Sequence, residues 1–371
     1  MISRVASLRG FGPALAIFLG SRLVIVVAIQ FATRFIPLAP GDGRWDAGIG
    51  WFDSLLRWDA GWYLSIAERG YTVPEAFAFY PLYPLIIKAL ALFGVEIHFA
   101  VLIVANLAAI LAALLLFQLA DEQFDEQTGY LAVGFLGFFP TSVFLSAGYT
   151  ESMTLCFALG CILLLRRQRL VAAALCAGLA FATRSTGIVL FPIVLWQVWN
   201  THKGNIGELL RYGLICGLLA ASGVVLFASY LWITVGDPLR FVSAQQYWQG
   251  EISFVNRVWL ALTLQPLREI PSEGAWFFIA VGATLIVFCR RVGLMQSMFG
   301  LGVLLLPYLT VVGGPARFGS MPRFVLLAFP LYIIMATLCR HRLWLSIPLI
   351  GVSAAGLAIY TARFAQWYSA G

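Results

Sequence analysis

Charge is scarce in this sequence. Only 11% of its 371 residues are charged, against roughly a quarter in a soluble domain. Hydrophobic residues make up 61% and the mean hydropathy is +0.89. No polar stretch is long enough to fold alone, and apolar runs of roughly 15–23 residues recur from end to end. A soluble enzyme, a nucleic-acid-binding protein and a disordered linker are thereby excluded. The six cysteines lie in apolar stretches without a CxxC pair, which excludes a disulfide framework and a zinc site and leaves them as small packing residues. Three scattered histidines exclude a His-based metal centre. No Asn-x-Ser/Thr acceptor occurs, and no GxGxxG, Walker or GxSxG motif, which removes nucleotide-phosphate and serine-hydrolase chemistry.

What is present is a run of candidate membrane spans: 11–31, 98–119, 130–149, 151–165, 170–183, 187–200, 212–235, 275–290, 294–312, 323–339 and 343–361. The expected fold is an all-α polytopic membrane protein of about 11 helices in one unit, 1–371. The first run carries Arg22 and lacks a cleavage site, so it reads as a retained span. Arg4 and Arg9, Arg166 to Arg169, Lys203 and Arg211, Arg290 and Arg291, and Arg340 and Arg342 fall in short connections, which the positive-inside rule places in the cytoplasm. Parity then keeps the stretch 79–94, interrupted by Pro81, Pro84 and Lys88, from crossing; a re-entrant or interfacial helix is expected there. The outer segments become 32–97 and 236–273. Asp121, Glu122, Asp125 and Glu126 fall inside as a misfit. Most acids fall outside, among them Asp42, Asp46, Asp53, Asp59, Glu151, Glu251 and Glu269. Arg184, Arg240, Arg257, Arg268, Arg317 and Arg323 fall outside too, against the topological bias, and an anionic ligand is one reason for that.

The most informative stretch runs from Arg57 to Tyr71. It reads as an amphipathic helix with Asp59, Tyr63, Ile66 and Gly70 on one face and Trp58 and Trp62 placed for a lipid interface. Asp59 is either a general base in an apolar setting or the helix N-cap. The aromatic run 77–85, with Tyr80 and Tyr83 between prolines, reads as the wall of a lipid or sugar cavity or as an aromatic belt. Glu151, after Tyr149, binds a sugar hydroxyl, holds an arginine, or belongs to a helix start. Arg184 and Arg323 suit a lipid phosphate or snorkel to headgroups. Gln245, in Gln245-Gln246-Tyr247-Trp248, supplies sugar-type hydrogen bonds or belongs to a surface helix.

The ordered motifs RWDAGWYLSIAERGY and FAFYPLYPL, then FFPTSVFLSAGYTES, GLAFATRSTG and Pro322-Arg323-Phe324, resemble the PIG-V-type mannosyltransferases, integral membrane enzymes of the GT-C architecture. The resemblance spans about residues 57 to 335. It implies transfer of mannose from a polyprenyl-phosphate-linked donor to a lipid-anchored glycan on the non-cytoplasmic face, by inverting displacement. The acidic base of the first outer loop maps to Asp59, with Asp53 and Glu68 in reserve, and Arg184 and Arg323 become candidates for the phosphate. Arg57, Trp58, Trp62, Tyr63, Glu68, Tyr80, Tyr83, Tyr149, Glu151 and Gln245 complete the expected substrate site. No cofactor is implied, and a divalent metal on first-loop carboxylates stays open. Partners are the lipid-linked donor, the glycan acceptor and membrane lipids, with an accessory membrane subunit left open and no nucleic acid. A bacterial plasma membrane is expected ahead of the endoplasmic reticulum. The rival class is a transporter or flippase of lipid-linked sugars, which would want internal repeats and ionisable residues at mid-membrane; a transferase of another polyprenyl-phosphate sugar is the second rival.

Overall fold

The computed structural model describes residues 10–41, 44–249, 254–263, 273–311 and 320–368; Arg4, Arg9, Asp42, Glu251, Arg268, Glu269 and Arg317 lie outside them, as does the side chain of Arg257. Among the described residues every regular element is helical. In chain order the main helices are α1 (Phe11–Phe35), α2 (Ala60–Arg69), α3 (Leu82–Leu92), α4 (Ile97–Gln123), α5 (Glu126–Gly137), α6 (Glu151–Arg166), α7 (Leu170–Thr183), α8 (Leu190–His202) and α9 (Ile206–Val235). After them come α10 (Glu273–Val287), α11 (Leu294–Val311), α12 (Met321–Val325), α13 (Pro330–Cys339) and α14 (Leu343–Ala365).

Among the described residues four helices, α1, α4, α9 and α14, are long and apolar enough to cross a membrane. Their outward faces show why. On α1 the exposed large apolar residues are Leu19, Leu23, Val27, Phe31 and Phe35, and on α4 they are Phe99, Ile103, Leu107 and Leu111. Spaced four apart, they form one continuous apolar stripe per helix, suited to acyl chains. The inner face of α4 is lined by Ala105, Ala108, Ala109, Ala112 and Ala113, all buried, and these small residues let neighbouring backbones approach closely. The same logic holds where α7 crosses α9. A Cβ at Gly178 would lie 2.2 Å from Leu219 O, and one at Gly223 would lie 2.2 Å from Gly178 O.

Two expected spans are broken. In the stretch 130–149 the helix ends at Gly137, and Pro140 and a short 3-10 turn at Ser142–Leu145 carry the buried chain onward. That irregular backbone is held by Arg22 of α1, whose Nη2 donates to Gly137 O (2.7 Å) and Ser142 Oγ (2.6 Å) and whose Nη1 donates to Ser142 O and Ser146 Oγ (3.0 Å each). The stretch 323–339 divides into α12 and α13, separated at Leu326–Phe329 ahead of Pro330, a residue that cannot donate to the preceding turn. Within 79–94 the helix α3 has 11 residues, a length of about 16 Å, too short to cross.

The acidic misfit at 121–126 has a structural reason. Glu122 pairs with Arg167, and Asp125 Oδ2 accepts from Arg340 Nη1 at 2.8 Å. Gln123 Nε2 donates to Val292 O at 3.0 Å. One end of the bundle is thus tied by acid–arginine contacts. The opposite end gathers the last turn of α1, the segment 36–96, the start of α6, the end of α7, α12 and the end of α14.

Candidate active site

A compact charged cluster sits at that opposite end, built from four separate parts of the chain. Asp59 immediately precedes α2, Glu151 opens α6, Arg184 follows α7, and Arg323 lies on α12. Arg323 Nη1 donates to Asp59 Oδ2 at 2.7 Å. Arg323 Nε lies 2.7 Å from Glu151 Oε1, though it is not aligned for a hydrogen bond. Arg184 Nη1 donates to the same Glu151 Oε1 and, at 3.4 Å, to Thr150 Oγ1. One carboxylate oxygen therefore joins two guanidiniums. Glu151 is fully buried, and its other oxygen, Oε2, has no partner among the described residues.

Aromatic rings complete the surround. Arg184 stacks over Phe324 at 4.7 Å, and Arg323 over Tyr149 at 5.1 Å. Such faces favour cations and lower the desolvation cost of the guanidiniums. The Tyr149 hydroxyl accepts from Asp59 N and donates to Arg57 O, each at 3.2 Å. Tyr63 OH lies 3.2 Å from Thr150 Oγ1. These bonds fix the Asp59 backbone against the α6 start.

The N-cap reading of Asp59 does not hold. An N-cap side chain reaches forward from an extended backbone, whereas Asp59 already has helical angles (φ −59, ψ −23) and its side chain makes no cap bond. The turn that produces this is strained. Trp58 has φ +54, a region that costs a bulky residue about 1–3 kcal/mol and that clusters at functional sites. Its indole is exposed and meets Trp367 edge-on at 5.3 Å. Thr150 makes no cap bond either, so neither candidate start is explained by capping.

Other expected site residues lie elsewhere. Arg57 is buried and holds the C-terminal end, with Nη1 donating to Trp45 O at 3.2 Å and the guanidinium over Trp367 at 5.0 Å. Burial pulls its pKa down, against the nearby Asp53 and Asp46. Trp62 stacks on Phe79 at 5.6 Å. Tyr83 is fully buried and donates to Val101 O at 3.0 Å. Tyr80 packs among Phe181, Phe227 and Phe241, beside the Gln245 Nε2 bond to Ala78 O (3.1 Å). Glu68 is paired with its exposed neighbour Arg69 at 3.8 Å. Asp53 is buried, and its Oδ1 accepts from Ala47 N at 2.9 Å. Burial and the hydrogen bond shared with Asp46 raise its pKa, while that of Asp46 is lowered by the same bond and by the Gly48 amide. Among the described residues no group of three or more His, Cys, Asp or Glu is placed to hold a metal ion. Phe324, Thr150 and Trp367 join the site without having been expected there; Phe324 and Thr150 had a signal, as the neighbours of Arg323 and Glu151.

Known proteins resemble this chain in sequence and in fold. Residues 46–241 match the family described as Mannosyltransferase (PIG-V). GPI mannosyltransferase 2 of Schizosaccharomyces pombe is 29% identical over 267 residues, covering 63% of this chain and 56% of that protein. GPI alpha-1,6-mannosyltransferase 2 of Mus musculus is 30% identical over 188 residues, 46% of this chain and 37% of that one. The chain thus matches about half or less of the length of these relatives. They come from fungi and animals and give the expected bacterial membrane no support. The crystal structure of ArnT from Cupriavidus metallidurans, bound to undecaprenyl phosphate, has a similar fold, with a TM-score of 0.53, 16% identity, 95% of this chain and 68% of that one. With more than half of its residues matched, Asp59, Glu151 and Arg184 among them, the chain belongs to the PIG-V mannosyltransferase family.

Proposed function

We propose that this protein is a glycosyltransferase that moves mannose from a polyprenyl-phosphate-linked donor to a lipid-anchored glycan, on the side of the membrane that carries Asp59. The observation that supports it most is the cluster itself: a partly exposed carboxylate beside two largely buried arginines. The relatives' names add the GPI glycan as the acceptor class. We read the shorter apolar helices as completing the membrane bundle with the four long ones.

In this reading Arg184 and Arg323 receive the donor phosphate, through charge-assisted hydrogen bonds stronger than neutral ones. Asp59 takes the proton of the acceptor hydroxyl. The acceptor oxygen bonds to the anomeric carbon as the bond from that carbon to the phosphate oxygen breaks, and the electron pair leaves on the phosphate. The carbon inverts. The arginines stabilise the phosphate charge that develops. Asp59 Oδ2 is engaged by Arg323, so it is free to take the proton once the incoming phosphate has drawn Arg323 away from it.

The test is transfer of radiolabelled mannose from polyprenyl-phosphate mannose to endogenous lipid acceptors, in membranes holding equal amounts of wild type or Asp59→Asn. Loss of a general base costs about 10²–10⁴-fold. Undiminished transfer by the variant would remove Asp59 from this role. Transfer of a different polyprenyl-phosphate sugar in place of mannose would correct the donor.

A further inference from the structure

Glu151 is the one member of the cluster to which the mechanism above gives no chemistry. It is also the most buried, with 0% side-chain exposure. A buried carboxylate needs a counter-charge, and Glu151 has two, both on the same oxygen. Counted together, Asp59 and Glu151 balance Arg184 and Arg323. When Arg323 turns from Asp59 to an incoming phosphate, Glu151 remains as the fixed anion of the pair.

The donors that face a ligand follow from what is already engaged. Arg184 Nη1 is held by Glu151 and Thr150, and Arg323 Nη1 by Asp59. Arg184 Nε and Nη2 and Arg323 Nη2 have no hydrogen-bond partner among the described residues and are not among the sealed polar atoms. Two guanidiniums joined at one oxygen therefore leave one end of each available. Without Glu151 they would repel each other, and with it they are held side by side.

We infer that Glu151 is a positioning residue: it holds Arg184 and Arg323 together as a two-guanidinium cradle for a lipid-linked phosphate, and its negative charge keeps that cradle from retaining the phosphate after transfer. This rests on the reading of the site as a lipid-phosphate site. A cradle of two unbalanced cations in a desolvated setting would bind its anionic product tightly and release it slowly. A carboxylate across from the phosphate weakens both bound states and speeds release.

The consequence is a sign that packing alone does not give. Glu151→Gln keeps an oxygen to bridge the arginines and removes the charge. It is expected to bind undecaprenyl phosphate about tenfold more tightly than wild type, as one like charge at short range is lost. The KM for donor and the turnover number are expected to fall together, because release slows. Glu151→Asp keeps the charge but draws back the oxygen, and is expected to bind the phosphate less tightly, with a raised KM. Neutral undecaprenol serves as the control ligand, and its binding changes in neither variant.

The measurement is equilibrium binding of undecaprenyl phosphate and of undecaprenol to the full chain in nanodiscs, with steady-state kinetics alongside. Glu151→Gln binding the phosphate as wild type does, or more weakly, would overturn the inference while wild-type preference for phosphate over alcohol keeps the lipid-phosphate reading intact. Wild-type binding that does not distinguish phosphate from alcohol would overturn both. Glu151→Asp provides a second decision: phosphate binding equal to that of wild type removes the positioning role.

Discussion

The crossing of α7 and α9 makes a quantitative test, because it links a backbone contact between two helices to the placement of Arg184. A Cβ added at Gly223 would lie 2.2 Å from Gly178 O and 2.4 Å from Ala182 N. These are backbone atoms that no rotamer change can move. Ordinary contact begins near 3.4 Å, so Gly223→Ala requires the helices to part by about 1 Å. Overpacking of this kind costs about 1–3 kcal/mol, set against up to ~1 kcal/mol gained in helix propensity. From the middle of that range a net loss of about 1 kcal/mol remains. Ala182 is two residues from Arg184, so the displacement reaches the site, where a misplacement of about 1 Å costs about 10²-fold in rate. Gly213, on the same helix, has nothing within 4 Å of an added Cβ, and Gly213→Ala is the matched control, neutral or slightly stabilising. Thermal unfolding in detergent and mannose transfer would be measured on both. If Gly223→Ala melts and turns over like Gly213→Ala, the close crossing does not position Arg184 and the reasoning fails.

Two further predictions follow from polar groups inside the fold. Arg22→Met removes the donor that Gly137 O and Ser142 O accept from, and is expected to cost about 2–6 kcal/mol at roughly 1–3 per stranded carbonyl; an unchanged melting temperature would show that the irregular segment holds itself. The Asp46–Asp53 pair gives a pH dependence with a definite sign. The Asp53 pKa is raised by burial and by its bond with Asp46, so its contribution is present at low pH and lost as pH rises through that raised value. Asp46→Asn supplies an amide that can donate to Asp53 while still accepting from the Gly48 N–H, so the variant is expected to melt higher than wild type at pH 7, with the gain gone by about pH 4. Parallel melting curves across that range would refute the shared-proton arrangement.

The sequence revealed what depends on local spacing and concealed what depends on tertiary contact. The end of α7 at Thr183 and the start of α6 at Glu151 followed from the apolar runs and the turn residues around them, and the short α3 from the parity of the basic connections and the prolines that interrupt it. The break at Gly137 did not, since a buried apolar stretch reads the same whether it is helical or held by a distant arginine. The pairing of Asp59 with Arg323, separated by 264 positions, lies beyond any local pattern. Asp59 as a cap was a fair local reading, and it failed because the positive φ at Trp58 swings the carboxylate away from the helix it precedes. The acids at 121–126 looked misplaced only while Arg167 and Arg340 were counted as sequence neighbours of their own segments.

The unequal lengths of α4 and α6 set the depth at which the charged residues lie. Helix α4 has 27 residues and α6 has 16, about 40 Å and about 24 Å. Their far ends are level, because Arg167, just past α6, pairs with Glu122 near the end of α4. Glu151 therefore sits about 16 Å below the opposite tip of α4. The bond from Asn106 to Ser146 O, 3.0 Å, marks a similar level on both segments. The arginines beside Glu151 thus lie about three turns of α4 below its tip. In the proposed reaction a donor phosphate anchored in the bilayer would meet them without lifting its chain, while the acceptor sugar that takes the mannose would have to reach down from the surface.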